Sequence, residues 1–163
     1  MKGVDPPRGF AFAWFKIGNE NIGVYSVHLK SNLITRGDPA TETAKNIAKR
    51  EVAVTQLIAH VHDVIEISKL AIKGIVIGGD FNTNQDQEMF YAEKTLDSLI
   101  GAGYQNGFED LPLERRVTHP ANHGFPDATF DYVFTRDLKA SPPSVSRTSA
   151  SDHWPVTRTF RLR

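Results

Sequence analysis

The chain has 163 residues, no cysteine, and nineteen basic residues balanced by nineteen acidic ones. It is long enough for one domain with a core of its own. The missing cysteines exclude disulfides, thiol catalysis and thiolate-bound zinc. The zero net charge, with no Lys/Arg run, argues against a scaffold that holds nucleic acid by charge alone.

Met1 to Gly9 carries Pro6-Pro7 and Asp5 where a signal peptide would carry an apolar run, so none is expected there. No stretch has the length of a membrane span. Phe10 to Ile17 alternates, with Phe10, Phe12 and Trp14 on one face and Ala11, Ala13 and Phe15 on the other. A polar turn, Asn19-Glu20-Asn21, leads into a second strand, Ile22 to Leu29, and so short a link predicts an antiparallel pair. Pro39 to Ile72 reads as the longest helix, ended by Lys73-Gly74. Ile47, Val54, Ile58, Val61 and Ile65 form its apolar stripe, and Lys45, Lys49, Arg50 and Glu66 lie on other faces.

Ile75-Val76-Ile77, between glycines, is a buried strand, and Gln87 to Ile100 is read as a second helix closed by Gly101 and Gly103. Residues 105–129 are rich in turns, and strands are expected at Phe130 to Thr135, Val145 to Thr148 and Val156 to Leu162. There is no internal repeat and no interdomain linker, so residues 1–163 are taken as a single α/β domain.

Four polar clusters end these strands: Val27-His28-Leu29-Lys30-Ser31-Asn32, Gly78-Gly79-Asp80-Phe81-Asn82, Phe130-Asp131-Tyr132-Val133 and Ser151-Asp152-His153-Trp154-Pro155-Val156. Each alone has a bland reading. Gly-Asp-x-Asn is a common turn, Asp-His is a common surface pair, and His28 could be a hydrogen-bonded core histidine. As a set they are chemically complementary. Aspartates bind hard metals, histidines relay protons, and Asn and Lys donate to phosphate.

In this order the four clusters resemble the later motifs of the endonuclease/exonuclease/phosphatase family. That family includes DNase I, abasic-site endonucleases, neutral sphingomyelinases and inositol-polyphosphate 5-phosphatases. The resemblance runs from about Phe10 to the end and implies a DNase I-like fold, a four-layer α/β sandwich of mainly antiparallel sheets flanked by helices. It implies that His153 is the catalytic histidine, oriented by Asp131, and that Asp152 is a metal ligand. Asp80 would position or activate the attacking water, Asn82 would hold a phosphoryl oxygen, and His28 would donate to the phosphate with help from Lys30 and Asn32. Whether Asp80 or His153 takes the proton stays open at this level. The implied activity is phosphoester hydrolysis with Mg2+ or Mn2+, on nucleic acid or a small phosphoester.

The family's N-terminal Asn motif and the Gln-Glu motif that supplies a metal-binding glutamate do not occur at matching places. Gln87-Glu88 has the right letters but reads as a helix start, its glutamate exposed in the first turn. The chain is therefore expected to begin inside the fold. A truncated gene product, a processed fragment and one piece of a longer protein all fit that expectation. With Asp152 as sole recognisable ligand, magnesium is expected to bind weakly. Two further expectations follow: a homodimer that covers the open edge, and, as the alternative to an enzyme, a non-catalytic fragment serving as a binding or assembly module. Substrate specificity is assigned to loops 33–39 and 105–129. Within the second, Asn122-His123-Gly124-Phe125 is either a contact for a base or head group or a plain turn.

Overall fold

The computed structural model describes residues 8–122 and 124–162. The reading of Met1 to Gly9 falls largely outside them, as does His123. The alternating segment forms β1 (Phe10–Ile17), and the polar turn returns it as β2 (Glu20–His28) in an antiparallel pair, as the short link predicts. After α1 (Pro39–Glu66) the chain enters β3 (Ile72–Asp80), which runs parallel to β2. A single turn of 3-10 helix at Glu88–Phe90 precedes α2 (Thr95–Gly101), and another at Leu113–Arg115 leads towards β4 (Asp131–Arg136). Strand β4 pairs antiparallel with β3, giving one sheet in the order β1-β2-β3-β4. The last segments make two small ribbons, β5 (Lys139–Ala140) with β8 (Phe160–Arg161) and β6 (Ser144–Val145) with β7 (Val156–Thr157). Among the described residues no helix is long and apolar enough to cross a membrane.

Period-two alternation explains the layers. Tyr25, Val27, Ile75, Ile77, Tyr132 and Phe134 share one core with Ala53, Val54, Leu57 and Val61 of α1. Ile22, Val76 and Leu138 make a second, smaller core, joined by Val24, Val133 and Phe160. The sheet is thus covered by helix on one face and by the C-terminal ribbon on the other.

Several boundaries differ from the sequence reading. Helix α1 stops at Glu66, not near Ile72, because the chain must reverse into β3; Ala71 takes a positive φ of 48° just before that strand. Its buried stripe is Asn46, Arg50, Ala53, Val54, Leu57, Val61 and Val64. Arg50, expected on an outer face, is fully buried and forms a two-pronged ion pair with Glu93, Nε to Oε1 at 2.7 Å and Nη2 to Oε2 at 2.5 Å. That pair also explains why Gln87 to Ile100 is not one helix. Glu93 must turn inward to meet Arg50, so the chain breaks there and α2 starts again at Thr95. The Lys94 N–H, at the head of α2, donates to Glu51 Oε1 at 2.8 Å.

The expected strand at Val145 to Thr148 shrinks to Ser144–Val145, and Val156 to Leu162 divides into β7 and β8. Between those two, Arg158 turns inward. Its guanidinium donates to the carbonyls of Ser141 at 2.8 Å, Gln105 at 2.6 Å and Val133 at 2.8 Å. Burial lowers its pKa from the ordinary arginine value. Gln87-Glu88 does open a helical turn, with Glu88 exposed in it. Asn122 and Phe125 exchange backbone hydrogen bonds of 3.1 and 2.9 Å across a tight turn, which favours the turn reading of that stretch.

Candidate active site

Strand pairing brings the separated motifs together. Parallel β2 and β3 place His28 opposite Asp80, and antiparallel β3 and β4 place Asp80 opposite Asp131. Gly79 makes the first of these pairings close. Its φ is +142°, and a Cβ there would lie 1.9 Å from the Val27 carbonyl oxygen, so glycine is required. His28 is not a core histidine. Its side chain is 63% exposed, and Nε2 lies 3.6 Å from Asp80 Oδ2.

Asn82 folds back on Asp80. Its backbone N–H donates to Asp80 Oδ1 and its side-chain amide to Oδ2, both at 2.8 Å, and the amide also reaches the Leu29 carbonyl at 3.2 Å. Asn82 takes a positive φ of 53°, which asparagine tolerates better than most residues. Asn32 supports this turn by donating to the Asn82 carbonyl at 2.6 Å. That amide donor is therefore engaged with the protein's own backbone. The Lys30 carbonyl accepts from Arg50 Nη1 at 2.8 Å, and burial together with nearby Arg8, Lys49 and Arg50 lowers the Lys30 pKa.

Asp131 and His153 form a hydrogen bond of 2.7 Å between Oδ2 and Nδ1. Burial by itself would lower the His153 pKa. The bond and charge of Asp131, with the charges of Asp80 and Asp152, outweigh it and raise the ring above its ordinary value. Burial raises the pKa of Asp80 too. The Asn82 N–H bond opposes that, the Asp131 charge adds to it, and the His153 and His28 charges oppose it, leaving a net rise. Asp152 is exposed, and its carboxyl is held below the usual range by its own backbone amide and by the Ser151 hydroxyl. The cleft beside this cluster, about 340 Å³, is lined in part by Gly79, Asp131, Ser151, His153 and Trp154.

Two contributors carry no signal in the sequence. Thr118, fully buried, accepts the N–H groups of Phe130 and Asp131 on its Oγ1 at 2.9 and 3.0 Å. Its carbonyl accepts the N–H of Trp154 at 2.6 Å, so one residue ties the Asp131 strand to the His153 turn. His119 follows it, with its ring 5.0 Å from that of His153. Both sit in the turn-rich 105–129 segment, where no periodicity marks a residue as inward-facing.

A divalent ion fits the donor chemistry in one respect. Asp152 is ionised and exposed, and its described side-chain bond is a long one, 3.3 Å, from the Ser151 hydroxyl to Oδ1. Magnesium that keeps most of its water can use one such oxygen.

No protein-family model matches the sequence, and no curated protein is significantly similar to it. Solved structures do match. An endonuclease/exonuclease/phosphatase family protein from Leptotrichia buccalis is 16% identical, aligned over 94% of this chain and 54% of its own, with a TM-score of 0.55. A beta toxin variant from Staphylococcus aureus, solved with bound magnesium ions, is 17% identical over 94% of this chain and 58% of its own, with a TM-score of 0.60. A mannosyl-6-phosphatase from Bacteroides thetaiotaomicron is 14% identical over 94% of this chain and 57% of its own, with a TM-score of 0.57. The likeness is one of fold. This chain has the mixed α/β, DNase I-like fold of those proteins and spans little more than half their length.

Proposed function

We propose that this chain carries the proton-transfer half of a divalent-metal-dependent phosphoesterase site. The observation that supports it best is the Asp131–His153 pair at 2.7 Å, on the strand next to Asp80. The fold neighbours, among them a mannosyl-6-phosphatase and an endonuclease/exonuclease/phosphatase family protein, agree with this class of reaction.

Water is positioned by Asp80, whose carboxylate is itself fixed by the two Asn82 donors. A raised pKa makes Asp80 a stronger base than an exposed aspartate, so it takes the proton as water attacks phosphorus. His28, exposed beside it, donates to a phosphoryl oxygen. His153, protonated and oriented by Asp131, gives its proton to the leaving oxygen. Lys30, two residues beyond His28, would add positive charge for the phosphate. Asp152 would hold Mg2+ or Mn2+, which supplies charge neutralisation and a more acidic water when bound. Phosphodiester and phosphomonoester substrates both suit this chemistry.

Hydrolysis of bis-(p-nitrophenyl) phosphate, with Mn2+ and with EDTA, tests the reading. Activity is expected with metal, lost in EDTA, and reduced by roughly 10²- to 10⁴-fold in His153→Ala and in Asp80→Ala. An equal rate in wild type and Asp80→Ala would refute it and leave the binding-module alternative.

The free edge of β1 supports a homodimer. Among the described residues strand β1 ends the sheet, and Trp14, Phe15 and Ile17 on it are 45%, 54% and 44% exposed.

A further inference from the structure

His119 lies outside every motif that the proposed hydrolysis uses. Backbone bonds between His119 and Ala128, both 2.9 Å, hold it beside β4. Its ring packs against Phe130 at 5.6 Å and meets His153 edge-on at 5.0 Å and 73°. Its Nδ1 is buried and has no hydrogen-bond partner among the described residues. A buried ring nitrogen without a partner is costly, and a ligand is one way to satisfy it.

Ligand atoms of His119, His153 and Asp152 all lie within 4.8 Å of one another. Asp131 occupies His153 Nδ1, and among the described residues this leaves Nε2 for a ligand. A carboxylate behind an imidazole is the arrangement that fixes the tautomer of a metal-binding histidine and raises its basicity. Two imidazole nitrogens and one carboxylate oxygen are a poor set for magnesium, which wants oxygen. They suit a borderline ion such as zinc, with water in the fourth position. Tetrahedral zinc needs donors about 3.3 Å apart, and Asp152, being exposed, is free to turn inward.

We propose that His119, His153 and Asp152 bind a transition-metal dication of the zinc class, and that an ion there switches phosphoester hydrolysis off. The switch rests on the phosphoesterase reading; the binding site does not. An ion on His153 Nε2 occupies the position from which the leaving oxygen would be protonated. It also takes the Asp152 carboxylate away from the harder ion.

Calorimetric titration of the chelator-treated chain with ZnCl2, in the absence of magnesium, tests the site. One ion per chain is expected, bound at least about tenfold more weakly by His119→Gln and by Asp152→Asn. Circular dichroism establishes that each variant is folded, and Co2+ in place of zinc should give visible absorption bands that both variants lose. Zinc binding unchanged in both folded variants places the ion on other histidines and overturns the site. In a second arm, zinc is titrated into the Mn2+-supported hydrolysis of bis-(p-nitrophenyl) phosphate. Each variant is referred to its own uninhibited rate, and the half-inhibitory zinc concentration should rise at least about tenfold in His119→Gln. Activation by zinc overturns the switch. A wild type inactive with every metal refutes the phosphoesterase reading and the switch with it, while the calorimetry still decides the site.

Discussion

Asp80 and Asp131 stand opposite one another on β3 and β4, and they are compensated from different sides. Asp131 is paired with His153, whereas Asp80 receives the two Asn82 donors and the nearby His28. Both Asp80 and His153 have raised pKa values. Hydrolysis that needs ionised Asp80 and protonated His153 should therefore follow a bell-shaped pH profile. Its acid limb lies above the ordinary aspartate value and its alkaline limb above the ordinary histidine value. Asp131→Asn removes the charge and weakens the bond but leaves the burial, so the alkaline limb should move to lower pH. The pH–rate curve and the NMR titration of the His153 ring should shift together, and a ring titration unmoved by Asp131→Asn contradicts the pairing. The sign for stability is the same in both groups. A raised folded-state pKa contributes stability that is fully present below the unfolded value and is lost as pH rises through the folded one.

The residues of the four motifs were legible in the sequence because each cluster is local and ends a strand. His119 and Thr118 were not legible, since their place depends on how an irregular segment lies against β4. Arg50 departs from its sequence pattern for a physical reason. A helix read by its aliphatic residues puts an arginine outside, and the partner that draws it inward is 43 residues further along.

At the scale of elements, that ion pair joins α1 to α2. Its carboxylate also accepts the Thr95 hydroxyl at 2.5 Å, so every charge in it has several partners. Removing one member leaves a buried charge without compensation. Glu93→Ala is expected to lose about 3–5 kcal/mol in urea unfolding, whereas the apolar double replacement Arg50→Met with Glu93→Leu should lose far less. Equal losses would mean that packing, and not charge, is what the pair supplies. Strand β3 has a comparable single point of sensitivity. Gly79→Ala forces a methyl group onto the Val27 carbonyl and should cost on the order of 3 kcal/mol or more. It should also pull Asp80 away from His28, so the Tm and the hydrolysis rate are expected to fall together. The strands of the main sheet were readable from alternation, but the C-terminal ribbons were not. Their two-residue ladders are too short to show a period.

For the whole molecule, the packed faces of the sheet and the edge that β1 presents among the described residues set the behaviour in solution. The sheet is packed by α1 on one side and by Leu138 and Phe160 on the other, and β1 leaves Trp14, Phe15 and Ile17 exposed close together in sequence. Sedimentation at rising concentration should show a dimer, and Phe15→Lys should shift it to monomer without lowering the Tm. A monomeric wild type at high concentration counts against that pairing. The DNase I-like architecture was legible because the four motifs fall in family order, while the exposed β1 edge needed the pairing of β1 with β2 alone to be seen.

The inward turn of Arg158 has a consequence for how the chain meets a protease. Trypsin must draw an arginine side chain out into its own binding pocket, with the flanking backbone extended. Arg158 could yield only after surrendering three carbonyl partners, and its release would also unfasten the ribbon on which the His153 turn is carried. Arg147 is exposed, held by the face of Trp154 at 5.4 Å, and asks for no such rearrangement. Brief digestion should nick the chain after Arg147 and spare Arg158, leaving the two pieces associated until denaturant separates them.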